Sequence, residues 1–181
     1  MVADEAEAEM QGVKARLKTL LRERFGVAHT TPLDLANSYA TLAADGKHCE
    51  PIPVQQIRDQ EGNKLDIANP RCNQAVKPEV ARAAVDAARC PLGDRSSTSR
   101  CGVATAGNVR GEVGKPVAGK SGTTDGEKTA SLVAMTKQLA VAGILTDPDW
   151  AQTTDAMSHT TVNPAVYQTL RDAMKGKKAE Q

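Results

Sequence analysis

The chain has 181 residues, with 23 Lys and Arg against 22 Asp and Glu, for a formal net charge of +1. That length fits one domain with a real core, and the balanced charge leaves no electrostatic footprint for nucleic acid or an anionic membrane. One Trp, one Phe and two Tyr are too few for a base-stacking surface, so the core must be built from Ala, Val, Leu and Ile.

Residues 4–25 read as an amphipathic helix, with Met10, Val13, Leu17, Leu20 and Leu21 on one face and Gly26 as its stop. The acidic start, Met1 to Glu9, has no apolar stretch and is not read as a signal peptide. No apolar run of about 18 residues exists to span a membrane.

Thr31-Pro32-Leu33-Asp34 opens a second helix. Thr31 can cap it, Pro32 suits the first helical position, and Asp34 sits where a capping-box carboxylate would. Leu35, Tyr39 and Leu42 follow at helical spacing, and Asp45-Gly46 ends the helix with a residue able to turn left-handed. Val54 to Ile57 and Lys64 to Ile67 flank Asp59-Gln60-Glu61-Gly62-Asn63, the pattern of a β-hairpin. Pro78 opens an Ala-rich helix over Glu79 to Arg89. From Cys90 to Gly114 the chain reads as loop, with no period and a polar run from Ser96 to Ser99.

Three short apolar runs follow: Val117-Ala118, Ala130 to Met135, and Leu139 to Leu145. They predict three adjacent antiparallel strands. Asn163-Pro164 is read as the start of a last helix through Met174, with Val166, Leu170 and Met174 on one face. Lys175 to Gln181, with Lys177 and Lys178, is a polar tail.

The cysteines are Cys49, Cys72, Cys90 and Cys101, with no C-x-x-C pair to suggest zinc. Three pairings are open, as are four free thiols. The sequential pairing closes two Gly-, Pro-, Asn- and Ser-rich loops, each worth about 3 kcal/mol in chain entropy. It points to an oxidising, extracytoplasmic setting. His29, His48 and His159 are too scattered for a metal set, and Asp147, Asp149 and Asp155 read as loop carboxylates rather than an acid/base group. Trp150 is expected to anchor on the core. No metal or cofactor is implied.

The chemistry concentrates in Gly114-Lys115-Pro116-Val117-Ala118-Gly119-Lys120-Ser121-Gly122-Thr123-Thr124. Gly114 to Ser121 fits the phosphate-cradling pattern G-x-x-x-x-G-K-[ST], which requires a buried strand before it and a helix after it. Neither flank offers that, because Thr105 to Val113 is no buried strand and Gly122 to Gly126 is a poor helix start. Nucleotide binding is therefore the third reading.

Lys120-Ser121-Gly122-Thr123 also fits the Lys-Thr/Ser-Gly element of serine acyl-enzymes. There an edge strand offers an ammonium to a substrate carboxylate, a glycine admits substrate to the backbone, and a free N–H stabilises an oxyanion. The surroundings match as well. Thr31-Pro32-Leu33-Asp34-Leu35-Ala36-Asn37-Ser38-Tyr39-Ala40-Thr41-Leu42-Ala43, then Gly46 to Ile57, then Pro116 to Thr124, then Ser131 to Thr136 and Gln138 to Gly143 occur in order. Over roughly residues 26–175 the chain resembles the C-terminal half of the transpeptidase domain of class A penicillin-binding proteins, in the serine β-lactamase superfamily.

That resemblance implies an α+β fold, an antiparallel sheet flanked by helices that forms part of a β-lactamase/transpeptidase-like domain. It implies peptidoglycan stem peptide or a β-lactam as ligand, D-Ala-D-Ala cross-linking as ancestral reaction, and an extracytoplasmic setting for the parent protein. It assigns Lys120 to the carboxylate and to the field of the site, and Ser121 and Thr123 to hydrogen bonds with the carboxylate. The Thr123 N–H becomes an oxyanion donor, Gly122 gives access, and Thr124 borders the substrate. The family's Ser-x-x-Lys and Ser-x-Asn motifs occur nowhere among the 181 residues. The expectation is a chain of three parts: an N-terminal helix (1–25), the distal transpeptidase-like part (26–175) and a polar tail (176–181). It is inactive alone, and a missing N-terminal transpeptidase segment would be its partner. The alternative is a non-catalytic binding or interaction module that retains the sheet.

Overall fold

Three strands in strict antiparallel register form the centre of the fold: β5 (Ala118–Thr123), β6 (Thr129–Met135) and β7 (Ala140–Thr146), in the order β5-β6-β7. The computed structural model describes residues 30–178 except 55, 67–69, 99 and 151–155. The chain divides into two units, Met1–Thr31 and Pro32–Gln181, and everything below belongs to the second. The helix expected over 4–25, with Met10, Val13, Leu17, Leu20 and Leu21, lies outside the described residues. So do His29, Ile67, Ser99, Asp155 and the end of the tail.

Before the sheet come α1 (Pro32–Ala43), β1 (Lys47–Cys49), β2 (Ile57–Arg58), β3 (Lys64–Leu65), β4 (Cys72–Gln74) and α2 (Pro78–Arg89). Helix α1 ends as its sequence requires. Asp45 and Gly46 both take positive φ, and the Gly46 N–H bonds the Thr41 carbonyl at 2.8 Å. The β2–β3 hairpin turns on Asp59, whose two carboxylate oxygens accept the N–H and side-chain amide of Asn63. Its strands are shorter than the apolar runs suggested and begin at Ile57 rather than Val54.

The β1–β4 pair is legible only in space. Cys49 lies directly opposite Cys72 and is bonded to it, and a second disulfide joins Cys90 to Cys101. Four free thiols are thereby excluded in favour of the sequential pairing.

Two elements lie inside the stretch read as loop from Cys90 to Gly114: a 3-10 turn at Cys90–Leu92 and helix α3 (Val109–Val113). Leu92, Ala106, Val109 and Val113 are all buried. Each is an isolated apolar residue among Gly, Ser and Asn, so no periodicity announces it.

Helix α4 (His159–Ala173) begins four residues before the expected Asn163-Pro164 start. Ser158 caps it, its hydroxyl accepting the Thr160 N–H at 3.1 Å. Pro164 sits inside the helix, so the usual bond to the Thr160 carbonyl is not made. The cap and the stripe Val162, Val166, Leu170 and Met174, all buried, hold the helix regardless. Each of these side chains gains roughly 1.5–3 kcal/mol from burial. Trp150 corrects a second expectation: it is 54% exposed and anchors nothing in the core.

Opposed residues in an antiparallel pair share a face. Ser121, Leu132 and Gly143 therefore line up on one side of the sheet, where α4 packs. Gly143 makes that contact possible, since a Cβ there would come within 2.6 Å of Val166 Cγ2. Lys120, Val133 and Ala142 line up on the other side. That side also carries Ala118 and Met135, which with α1 and α2 border a cavity of about 380 Å³.

Candidate functional site

Strand β5 is an edge strand of the three-stranded sheet, so one row of its backbone groups is not consumed by β6. The Thr124 N–H bonds the Thr129 carbonyl at 3.1 Å, which sets the phase of the ladder. Counting back in twos, Gly122 and Lys120 turn their backbone groups toward β6, whereas Thr123 and Ser121 turn theirs to the open edge. The Thr123 N–H is thus an outward donor, and the Thr124 N–H is occupied within the sheet.

Side chains alternate with the same period. The Lys120 ammonium folds over the edge and donates to the outward Ser121 carbonyl at 2.7 Å, which places a cation beside the Thr123 N–H. Ser121 is 7% exposed and points to the α4 side, where its hydroxyl donates to Thr105 Oγ1 at 2.8 Å. Thr123 shares that side but is exposed. Its Oγ1 lies 2.7 Å from His159 Nε2, and His159 Nδ1 lies 3.3 Å from Asn163 Oδ1. A Cβ on Gly122 would approach Ser131 Oγ to 2.7 Å, so a side chain there would require that hydroxyl to turn away. Lys120, Ser121, Gly122, Thr123 and Thr124 therefore lie along one strand edge, with Lys120 and the Ser121/Thr123 pair on opposite faces.

Sequence reasoning missed Thr105, His159 and Asn163. A histidine 36 residues from Thr123 carries no local signal. The one available clue was Ser158, a capping residue that puts His159 and Asn163 at i,i+4 on one helical face.

Two carboxylates order the chain between α2 and β5. Asp94 Oδ2 accepts the Val117 N–H at 3.0 Å, and Oδ1 accepts the Arg95 N–H and faces Arg89 and Arg110. Burial pushes its carboxyl pKa up, but those two N–H groups and the Arg89 guanidinium outweigh it and hold the pKa below the usual carboxylate value. Asp86 accepts from the Ser96 hydroxyl, the Ser97 N–H and hydroxyl, and the Thr98 hydroxyl, which hold it far below that range. Asp147 serves a turn, with Oδ1 accepting the N–H groups of Asp149 and Trp150.

The phosphate-cradle reading of Gly114–Ser121 fails on geometry. Gly114 is the left-handed cap of α3, Lys120 and Ser121 lie within β5, and the strand continues to Thr123 before a 3-10 turn at Asp125–Glu127. Among the described residues no α-helix opens directly after the lysine, as a phosphate cradle requires.

The antiparallel sheet with α4 on one face and α1 and α2 toward the other, bearing Lys-Ser-Gly-Thr on its edge, defines a transpeptidase-type α+β fold. No protein-family profile matches the chain. Over 166 residues it is 27% identical to penicillin-binding protein 2D of Bacillus subtilis (strain 168), covering 91% of this chain and 23% of that protein. Over 128 residues it is 29% identical to penicillin-binding protein 1A of Aquifex aeolicus (strain VF5), covering 71% of this chain and 16% of that protein. The crystal structure of penicillin-binding protein 1A from Haemophilus influenzae superposes with a TM-score of 0.68 and 18% identity, over 84% of this chain and 27% of that one. The chain is a relative of the penicillin-binding proteins, and it spans less than a quarter of the length of either curated relative.

Proposed function

We propose that this chain is the carboxylate-binding lobe of a penicillin-binding transpeptidase domain, holding the end of a peptidoglycan stem peptide or a β-lactam along the edge of β5. The observation that carries this reading is the joint placement of the Lys120 ammonium and the outward Thr123 N–H at that edge. The ammonium meets the ligand carboxylate. The Thr123 N–H faces the acyl oxygen where negative charge develops. Gly122 lets the ligand backbone approach, and the exposed Thr123 hydroxyl lies at the same strand edge. Thr124 lines the path at the end of the strand. Ser121 acts from behind, holding Thr105 against the strand.

An acyl-enzyme needs a nucleophile, and a charged cradle without one does no covalent chemistry. The 181 residues contain neither Ser-x-x-Lys nor Ser-x-Asn, so binding by this chain alone is non-covalent. A segment carrying those motifs is the partner that completes the reaction, D-Ala-D-Ala cross-linking on the extracytoplasmic side of the membrane. The two disulfides suit that compartment. Among the described residues no helix is long and apolar enough to cross a membrane.

The test is a pair of measurements on the purified chain. Labelled penicillin should leave no covalent band on a denaturing gel, and an acylated D-Ala-D-Ala peptide should bind saturably and lose at least tenfold in affinity in Lys120→Ala. A covalent band refutes the missing nucleophile. Absence of any peptide binding favours the second reading, a module that keeps the sheet for protein contacts only.

A further inference from the structure

Thr123, His159 and Asn163 form a hydrogen-bonded chain with a defined direction. Asn163 is 9% exposed, and its Oδ1, which can only accept, faces His159 Nδ1. Nδ1 must therefore carry the proton, and in the neutral ring Nε2 is left as an acceptor. The atom 2.7 Å from Nε2 is Thr123 Oγ1. A threonine hydroxyl has one proton to give, so a neutral His159 takes it. The Thr123 hydroxyl can then offer a ligand only lone pairs, which repel a carboxylate.

Protonation reverses the arrangement. With Nε2 also a donor, the imidazolium donates to Thr123 Oγ1, and the hydroxyl proton is released to point outward. We infer that His159 is a positioning residue that sets the donor direction of the Thr123 hydroxyl, so that the β5 edge binds carboxylates more tightly as pH falls. This deepens the carboxylate-binding reading of the β5 edge and rests on it.

His159 Nε2 and Nδ1 are both engaged within the chain, by Thr123 Oγ1 and Asn163 Oδ1. Among the described residues, the charged groups on β5 and in the turns at the Thr123 end of the sheet are Lys120, then Asp125, Glu127 and Lys128, and Asp147 and Asp149 after β7. The Glu127 carbonyl accepts the Met157 N–H at 2.7 Å just before α4. Strands β6 and β7 carry no charged residue. Among the described residues no ion pair involves His159. Glu112 of α3 pairs with Arg171 at the far end of α4. A ligand with a C-terminal carboxylate stays ionised above about pH 4, so a change in affinity between pH 5 and 8 arises in the protein and not in the ligand.

The experiment measures the affinity of an acylated D-Ala-D-Ala peptide for the full chain from pH 5 to pH 8, with nitrogen NMR of the imidazole in the free chain at pH 8. The peptide should bind about tenfold more tightly at pH 5 than at pH 8. Thr123→Ser should keep that dependence, and Thr123→Val and His159→Gln should abolish it. The free imidazole should show the Nδ1–H tautomer. A full pH dependence surviving in Thr123→Val would mean that the imidazolium charge acts alone, which overturns the inference. An Nε2–H tautomer overturns it whether or not peptide binds. No peptide binding at any pH sinks the carboxylate-binding reading instead, and the tautomer then decides the hydroxyl direction by itself.

Discussion

Asp94 reaches across 23 residues to accept the Val117 N–H at 3.0 Å, one residue before β5 begins. The bond fastens the edge strand to the segment closed by the Cys90–Cys101 disulfide and to Arg89 at the end of α2. A charged acceptor in a half-closed site is worth more than a neutral one, so Asp94→Ala should cost about 2 kcal/mol of stability. Urea titration of the two proteins side by side measures it. An equal midpoint in both would remove Asp94 from the list of groups that hold β5.

The same carboxylates govern acid stability. Asp94 and Asp86 both titrate below the ordinary carboxylate value in the folded chain. Groups depressed on folding stabilise fully above their unfolded pKa, near 3.9, and lose that contribution as pH falls toward the folded value. Thermal stability should therefore be level from pH 7 to about 5 as far as these two groups are concerned, and drop steeply below about 4. Asp86→Asn should melt lower than the parent at pH 7 and show a shallower acid limb. Parallel acid limbs in the two proteins would count against this account.

The Cys49–Cys72 bridge joins directly opposed residues of β1 and β4, strands of only three residues each. A pair so short holds poorly without a covalent tie. The bridge spans 23 residues, for which chain entropy predicts about 3 kcal/mol. The double variant Cys49→Ala, Cys72→Ala should lose about that much in a denaturant titration under oxidising conditions. A reductant should then shift the parent and leave the variant with only the smaller change from Cys90–Cys101.

What could be read in advance follows a physical line. The three-strand sheet and α1 were legible because each is written in local chemistry: apolar runs set off by turns, and a Thr-Pro-x-Asp start with an Asp-Gly stop. The Lys-Ser-Gly-Thr edge was legible for the same reason. Helix α3 was not, because Val109 and Val113 show one turn of spacing inside a Gly-rich stretch, below any useful periodicity. The start of α4 was misplaced because Pro164 is a strong helix-opening signal, whereas the Ser158 cap that overrides it is a weak one. The β1–β4 pair and the Thr123–His159–Asn163 chain depend on contacts between distant residues, and single-sequence patterns do not encode those.

Two glycines of the sheet give a ranked prediction. A Cβ on Gly119 would sit 2.0 Å from the Val133 carbonyl oxygen and 2.9 Å from Leu92 Cδ1, so the obstacle is largely the backbone of the neighbouring strand. A Cβ on Gly143 would meet Val166 Cγ2 at 2.6 Å and Val162 Cγ2 at 3.1 Å, which are methyl groups able to rotate or shift with α4. Overpacking against side chains costs typically about 1–3 kcal/mol, whereas a clash with backbone forces the strands apart and costs more. Gly119→Ala should therefore destabilise more than Gly143→Ala in the same denaturant titration. Because Gly119 adjoins Lys120, only Gly119→Ala should also weaken peptide binding where the protein remains folded. Equal losses, or the reverse order, would mean that β5 and β6 can separate more easily than α4 can slide.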